Sequence, residues 1–246
     1  MDSSLDFFEN FTLWSLLVVP AALLAIMVHE ICHGLVAYAL GDPTAKERKR
    51  LSFNPIRHVD PFGLLMLIVV GFGWAKPVPV DTRYFKRPKL GMALVALAGP
   101  VSNFILAFIC VVCVRISIEF SGIGAVIAFQ FFSLTAIRST GLGIFNLFPI
   151  PPLDGSKIIG AVLPDWIYYK LMQVERFGFL LLMGLLWTGL LDTPLSWLLV
   201  NILDVFYGLF NLVIPEMLQA YLENLLEAAV LPAELFEYMK IFITGG

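Results

Sequence analysis

The chain of 246 residues is 59% hydrophobic and only 14% charged, with a mean hydropathy of +0.86. That leaves too little polar surface to cover a soluble globule, so the composition points to a membrane protein and away from a soluble enzyme or a nucleic-acid-binding domain. The formal net charge of −3 is small; the placement of the charges is more informative than their sum.

A helix needs roughly 20 apolar residues to cross the hydrocarbon core. Five long apolar stretches occur, at 11–40, 91–114, 123–148, 177–191 and 195–214. A sixth, FGLLMLIVVGFGW at 62–74, is short for a span. The expected fold class is therefore an all-α polytopic membrane protein, a bundle of about five to six transmembrane helices. Residues 1–214 are expected to form one membrane-embedded domain, with a tail following at 215–246.

The opening MDSSLDFFEN carries acids and no bases, so it lacks the positive n-region of a cleavable signal peptide. The first apolar stretch then runs into IMVHEICHG at 26–34. On an α-helix, residues four apart share a face, so His29 and His33 can meet one ion, with Glu30 beside it. Ionisable groups within a bilayer are rare and tend to be functional. A divalent metal would compensate all three, whereas the bland alternative is a polar knot between helices. Cys32 lies within this motif, and Cys110 and Cys113 lie in ILAFICVVCV; all three read as small packing residues.

Two loops hold much of the positive charge. AKERKRLSFNPIR contains Lys46, Arg48, Lys49, Arg50 and Arg57, and KPVPVDTRYFKRPK contains Lys76, Arg83, Lys86, Arg87 and Lys89. By the positive-inside rule both loops are cytoplasmic. The apolar piece between them must then enter and leave by one face, as a re-entrant, β-hairpin-like segment near 62–80 broken at Gly71 and Gly73. Such backbone is tolerated at membrane depth only when packed in protein or lining a wet cavity. This topology puts the N-terminus outside and the C-terminus in the cytoplasm, in a multi-pass protein of the cell membrane. The tail has Leu218, Leu222, Leu225 and Leu226 at helical spacing, with Glu223 and Glu227 between them, and reads as an amphipathic helix.

A catalytic zinc takes three protein ligands and keeps one open position, so two histidines leave one ligand to find. His58, Asp42, Asp60 and Asp81 lie in loops. Asp154 stands apart, in NLFPIPPLDG at 146–155, where Pro149, Pro151 and Pro152 stop the third long span. A few residues of extended backbone, at about 3.3 Å each, bring it level with the histidines. A plainer role for Asp154 is to cap the helix GSKIIGAVL. With one zinc per chain, the metal lowers the pKa of a water and polarises a carbonyl. Glu30 is then the base that takes the water proton and delivers it to a leaving amine. The natural reaction is hydrolysis of a peptide bond at membrane depth, with a transmembrane segment of another protein as substrate.

HEICHG, FNPIRHVDPFG, GWAKPVPV, LVALAGPVSN and NLFPIPPLDG, in this order over residues 18 to 160, resemble the site-2 protease family of intramembrane zinc metalloproteases, in its compact form without PDZ or cystathionine-synthase-type domains. The resemblance implies His29, His33 and Asp154 as zinc ligands and Glu30 as catalytic base, the same residues reached above. It also implies that Asn103 and Asn146 lie near the site, Asn146 helping to hold substrate or water. For Asn103 a hydrogen bond between helices near Ala98 and Gly99 is the alternative. The GWAKPVPV stretch resembles the segment such proteases place near substrate, where pairing with an unwound chain would be β-augmentation. Arg138 fits no catalytic role and could snorkel or pair with Glu119 or Asp204.

Two rival classes remain. An ion transporter would place polar residues along several spans, yet the deep acids and imidazoles here cluster at one depth. A catalytically silent relative would be expected to lack part of the set, yet Glu30, both histidines and Asp154 are all present.

Overall fold

The structure is a computed structural model, and it describes residues 3–58, 60 and 76–212. Every regular element among these residues is helical. The predicted re-entrant segment at 62–74 and the tail at 215–246 lie outside the described residues.

Helix α1 (Ser3–Ala39) carries Pro20 within it and ends at the turn Gly41–Asp42. A short helix α2 (Thr44–Glu47) and 3-10 turns at Pro55–Arg57 and Thr82–Tyr84 form the polar loops. Two long helices follow, α3 (Pro88–Ser117) and α4 (Ile123–Leu147). Then come α5 (Asp154–Val162), α6 (Asp165–Glu175), α7 (Gly178–Trp187) and α8 (Asp192–Gly208).

Three helical segments are long and apolar enough to cross a membrane: Leu17–Ala39, Pro88–Ser117 and Ile123–Leu147. They correspond to the first three predicted spans. The stretches predicted as spans at 177–191 and 195–214 form α7 and α8, of 10 and 17 residues. They bend by 84° where they meet, so together they count as at most one further broken span. At a rise of about 1.5 Å per residue neither is long enough alone for a core of about 30 Å. The described residues therefore hold three candidate spans, or four with the bent pair, where the apolar runs suggested five to six.

Helix α3 is the centre of the bundle and packs against α1, α4 and α5. Its buried face is built of small residues, among them Gly91, Ala93, Ala96, Gly99 and Ala107. Its other face presents Leu94, Val101, Ile105 and Ile109 outward. Small residues let helix backbones approach closely where lipid offers no hydrophobic drive for association. Further along α3, Ala107, Val111 and Val114 join Ile137 and Ile144 of α4 and Leu203 and Tyr207 of α8 in one apolar cluster.

A polar pair locks α3 to α4. The Asn103 side chain, fully buried, donates to the Ser139 carbonyl at 3.2 Å, and the Ser139 hydroxyl donates to the Asn103 carbonyl at 2.9 Å. This is the interhelical bond that the sequence offered as the alternative role for Asn103. Elsewhere, Glu119 pairs with Arg115 one turn away, while Arg138 lies buried within α4.

Replacing Asn103 with Ala removes one of these two bonds, at about 1 kcal/mol for a polar contact between membrane helices. The expected result is a thermal midpoint in detergent lower by about 2–4 °C, with zinc content unchanged. A midpoint equal to the parent's would show that the pair adds nothing to helix association.

Candidate metal centre

The HEICHG motif sits about two to three turns before the end of α1, and His29 and His33, four residues apart, project from the same face. Both are nearly buried, at 5% and 8% exposure, and their rings meet edge to face with centroids 4.5 Å apart. Asp154 reaches them from 121 residues beyond His33 along the chain. Its Oδ2 lies 3.2 Å from His29 Nε2 and 3.1 Å from His33 Nε2. One ligand atom from each of the three lies within 4.8 Å of the others.

The path to Asp154 differs from the extended run expected of a proline-rich segment. After α4 ends at Leu147, the chain makes two close turns, with Ile150 N–H donating to the Phe148 carbonyl and Leu153 N–H to the Ile150 carbonyl, both at 2.8 Å. Asp154 is the first residue of α5, and the preceding cap position is Leu153, without a side-chain cap. The plain capping role for Asp154 is therefore not realised: its carboxylate is turned to the histidines. An acid in a first helical turn is favourable for the helix dipole all the same. Lys157, one turn on, places Nζ 3.9 Å from the other carboxylate oxygen.

Whether these residues suit a metal turns on where the protons are. Nδ1 of His33 lies 2.6 Å from the Val95 carbonyl, which can only accept, so Nδ1 carries the proton. Its Nε2 then faces an anionic oxygen 3.1 Å away, a contact that needs a positive centre between the two, either a proton or a metal ion. Zinc bonds of about 2.0–2.1 Å in a tetrahedron put ligand atoms about 3.3 Å apart, close to the spacing observed. The Nδ1–H to carbonyl contact is also the usual support behind a metal-binding imidazole. Two imidazoles and a carboxylate thus fit zinc in both donor type and spacing.

Two features of α3 make this approach possible. Pro100 has no N–H for the carbonyl four residues back, and the Val95 carbonyl that holds His33 lies in the turn before it. Gly99 lies directly against the imidazoles. A Cβ built on it would fall 2.5 Å from His29 Cε1 and 2.5 Å from His33 Nε2, so any side chain there would displace the rings.

Glu30 stands beside the cluster with its Oε2 accepting from the Val78 amide at 2.7 Å. Asn146 donates to the Leu142 carbonyl of its own helix at 3.0 Å, and Asn103 is occupied with Ser139 as described. His58 is 2% exposed and its Nε2 lies 2.7 Å from the Ser52 carbonyl, so it braces its loop. Gly99, the Val95 carbonyl and the Val78 amide were not singled out as parts of the site from sequence. Gly99 left a signal as a glycine before a proline within an apolar helix, and Val78 a fainter one as the residue between two prolines.

An apolar helical bundle with two imidazoles and a carboxylate converged in its interior has the make-up of a membrane metalloprotein. The family model described as Peptidase family M50 matches residues 114–188, which include Asp154. A Bacillus subtilis (strain 168) protein described as "Putative zinc metalloprotease YwhC" is 40% identical over 217 residues, covering 82% of this chain and 98% of the relative. Rip2 of Mycolicibacterium smegmatis, described in the same terms, is 29% identical over 189 residues, covering 72% of this chain and 69% of its own length. Rip2 of Mycobacterium tuberculosis (strain H37Rv) is 30% identical over 202 residues, covering 80% and 73%. No solved structure matches the chain. The chain belongs to peptidase family M50, the site-2 proteases.

Two substitutions probe the centre through zinc counted per chain in purified protein. Asp154→Ala removes a ligand atom and is expected to lower occupancy severely. Gly99→Ala removes none, yet is expected to weaken zinc retention by about tenfold or more, as loss of support around a metal ligand does. Full occupancy in Asp154→Ala would send the search for a third ligand elsewhere.

Proposed function

We propose that this protein is an intramembrane zinc metalloprotease that hydrolyses peptide bonds within or near transmembrane segments of other membrane proteins. The observation that carries the proposal is the convergence of His29 Nε2, His33 Nε2 and Asp154 Oδ2 beside Glu30, in an apolar bundle. In this reading His29, His33 and Asp154 hold the ion. Zinc bound there supplies positive charge that lowers the pKa of a water and polarises a carbonyl.

The chain's own groups do the rest. The Val95 carbonyl holds the His33 tautomer with Nε2 facing inward. Glu30 accepts a proton from the attacking water as it adds to the peptide carbonyl, and returns that proton to the leaving amine nitrogen, which departs as a neutral amine. The Val78 amide orients the Glu30 carboxylate for both transfers.

The substrate must arrive locally unwound, because a helical peptide bond is shielded by its own turn. The extended stretch after Lys76, and Asn146 and Asn103, are the candidates for contacts with it. The positively charged loops support a cytoplasmic side of the cell membrane for the end of α1 and the centre with it. The partners in this reading are a transmembrane protein and the bilayer itself.

The deciding comparison is wild type against Glu30→Gln, reconstituted with single-span substrate candidates. Zinc is expected to stay near one per chain while cleavage falls by at least about 10²-fold, within the range that a general base supplies. Cleavage surviving undiminished in Glu30→Gln would sink the mechanism.

A further inference from the structure

Arg50 does not behave like the other cations of its loop. Lys46, Arg48 and Lys49 are exposed, as loop charges facing water should be, but Arg50 is 6% exposed. Burying a guanidinium is unfavourable unless its donors are satisfied. Its Nη1 donates to the carbonyl of Arg57, and its Nη2 donates to the carbonyl of Lys76 and, at 3.2 Å, to that of Pro77. The side chain therefore ties the first polar loop to the start of the segment KPVPV at 76–80.

That segment is a strap held at both ends. At its start, Lys76 N–H also donates to the His58 carbonyl at 2.8 Å. Just past its far end, Asp81 N–H donates to Asp42 Oδ2 at 2.7 Å, and the fully buried Asp42 takes the Thr44 amide on its other oxygen at 2.9 Å. Arg83 in turn grips the Asp81 carboxylate, holding it down to about 2. Pro77 and Pro79 fix φ and have no N–H, and each biases the residue before it to extended backbone. Val78 is thus the sole backbone donor between Lys76 and Val80, and its amide meets Glu30. The Val78 side chain is seated against α1, where a Cβ on Gly34 would lie 3.1 Å from Val78 Cγ1.

We propose that Arg50 is a positioning residue for Glu30: its guanidinium fixes the Lys76–Val78 backbone, and the Val78 amide so placed holds the Glu30 carboxylate. The inference rests on the reading of Glu30 as the base. A lysine reproduces the effect only in part, because one ammonium on a flexible stem does not span carbonyls on two segments as a planar fork does.

The test uses full-length zinc-loaded protein in detergent, a single-span peptide cleaved by the parent, and the variants Arg50→Gln and Arg50→Lys. The readouts are zinc per chain, kcat and KM separately, and amide hydrogen exchange across 76–81. In both variants zinc is expected to stay at the parent's level and KM within about twofold. Exchange at Val78 should speed by about tenfold or more in Arg50→Gln. Its kcat should fall by about 10²-fold, the loss that a misplacement of about 1 Å produces; Arg50→Lys should recover part of the rate. Parent-like kcat or parent-like Val78 exchange in both variants overturns the proposal. Zinc lost together with activity in both also overturns it, since Arg50 would then be a brace for the whole fold. Glu30→Gln is run alongside. If it cleaves at the parent's rate, the base reading falls whatever Arg50 does; if it is inactive while the Arg50 variants keep parent kcat, only the present proposal falls.

Discussion

Two imidazole nitrogens and a carboxylate oxygen, all nearly buried, face one another across 3.1 and 3.2 Å. At that distance a proton or a cation must lie between each imidazole and the carboxylate, and the neighbouring helices hold the three groups in that relation. Helix α3 comes close enough to wall the site only because position 99 has no side chain. Helix α5 begins at Asp154 so that the acid is delivered at its first turn, with the turn before it closed by hydrogen bonds. The His33 ring is kept from rotating by the carbonyl of Val95. Each of these features does little alone, and together they make a site shaped for a small divalent cation.

Family membership and local geometry bear on different levels of this picture. The 40% identity across 98% of the Bacillus subtilis relative places the chain among the site-2 proteases. It says nothing about which atoms face each other, and the distances among His29, His33 and Asp154 supply that independently.

Much of the site was legible from residue identities because helix geometry is regular. His29 and His33 share a face wherever they lie in an α-helix, and three prolines after Leu147 made a helix end before Asp154 unavoidable. What stayed hidden is carried by backbone. The Val95 carbonyl and the Val78 amide belong to no side chain, so no spacing marks them. For Val78 a trace does exist, in the prolines on either side that leave a single donor. The fold was less legible at the C-terminal end, because an apolar run reports hydrophobicity and not continuity. The break expected at 192–194 falls at 188–191, and the stretches that read as two spans form helices of 10 and 17 residues that meet at 84°. The extended run expected before Asp154 folds into turns for a related reason: each carbonyl released at the end of α4 needs a donor, and nearby amides provide it.

The hydrogen-bonding partners His29 and Asp154 are 125 positions apart. During synthesis the first helix must therefore enter the bilayer with its imidazoles and Glu30 uncompensated, and wait while α3 and α4 are made and inserted. Until α5 docks, Asp154 is missing from the cluster, and the nascent chain carries two of its three donor groups. The order of residues along the chain thus acts as a timer: the cluster of His29, His33 and Asp154 can close only after most of the bundle has been made.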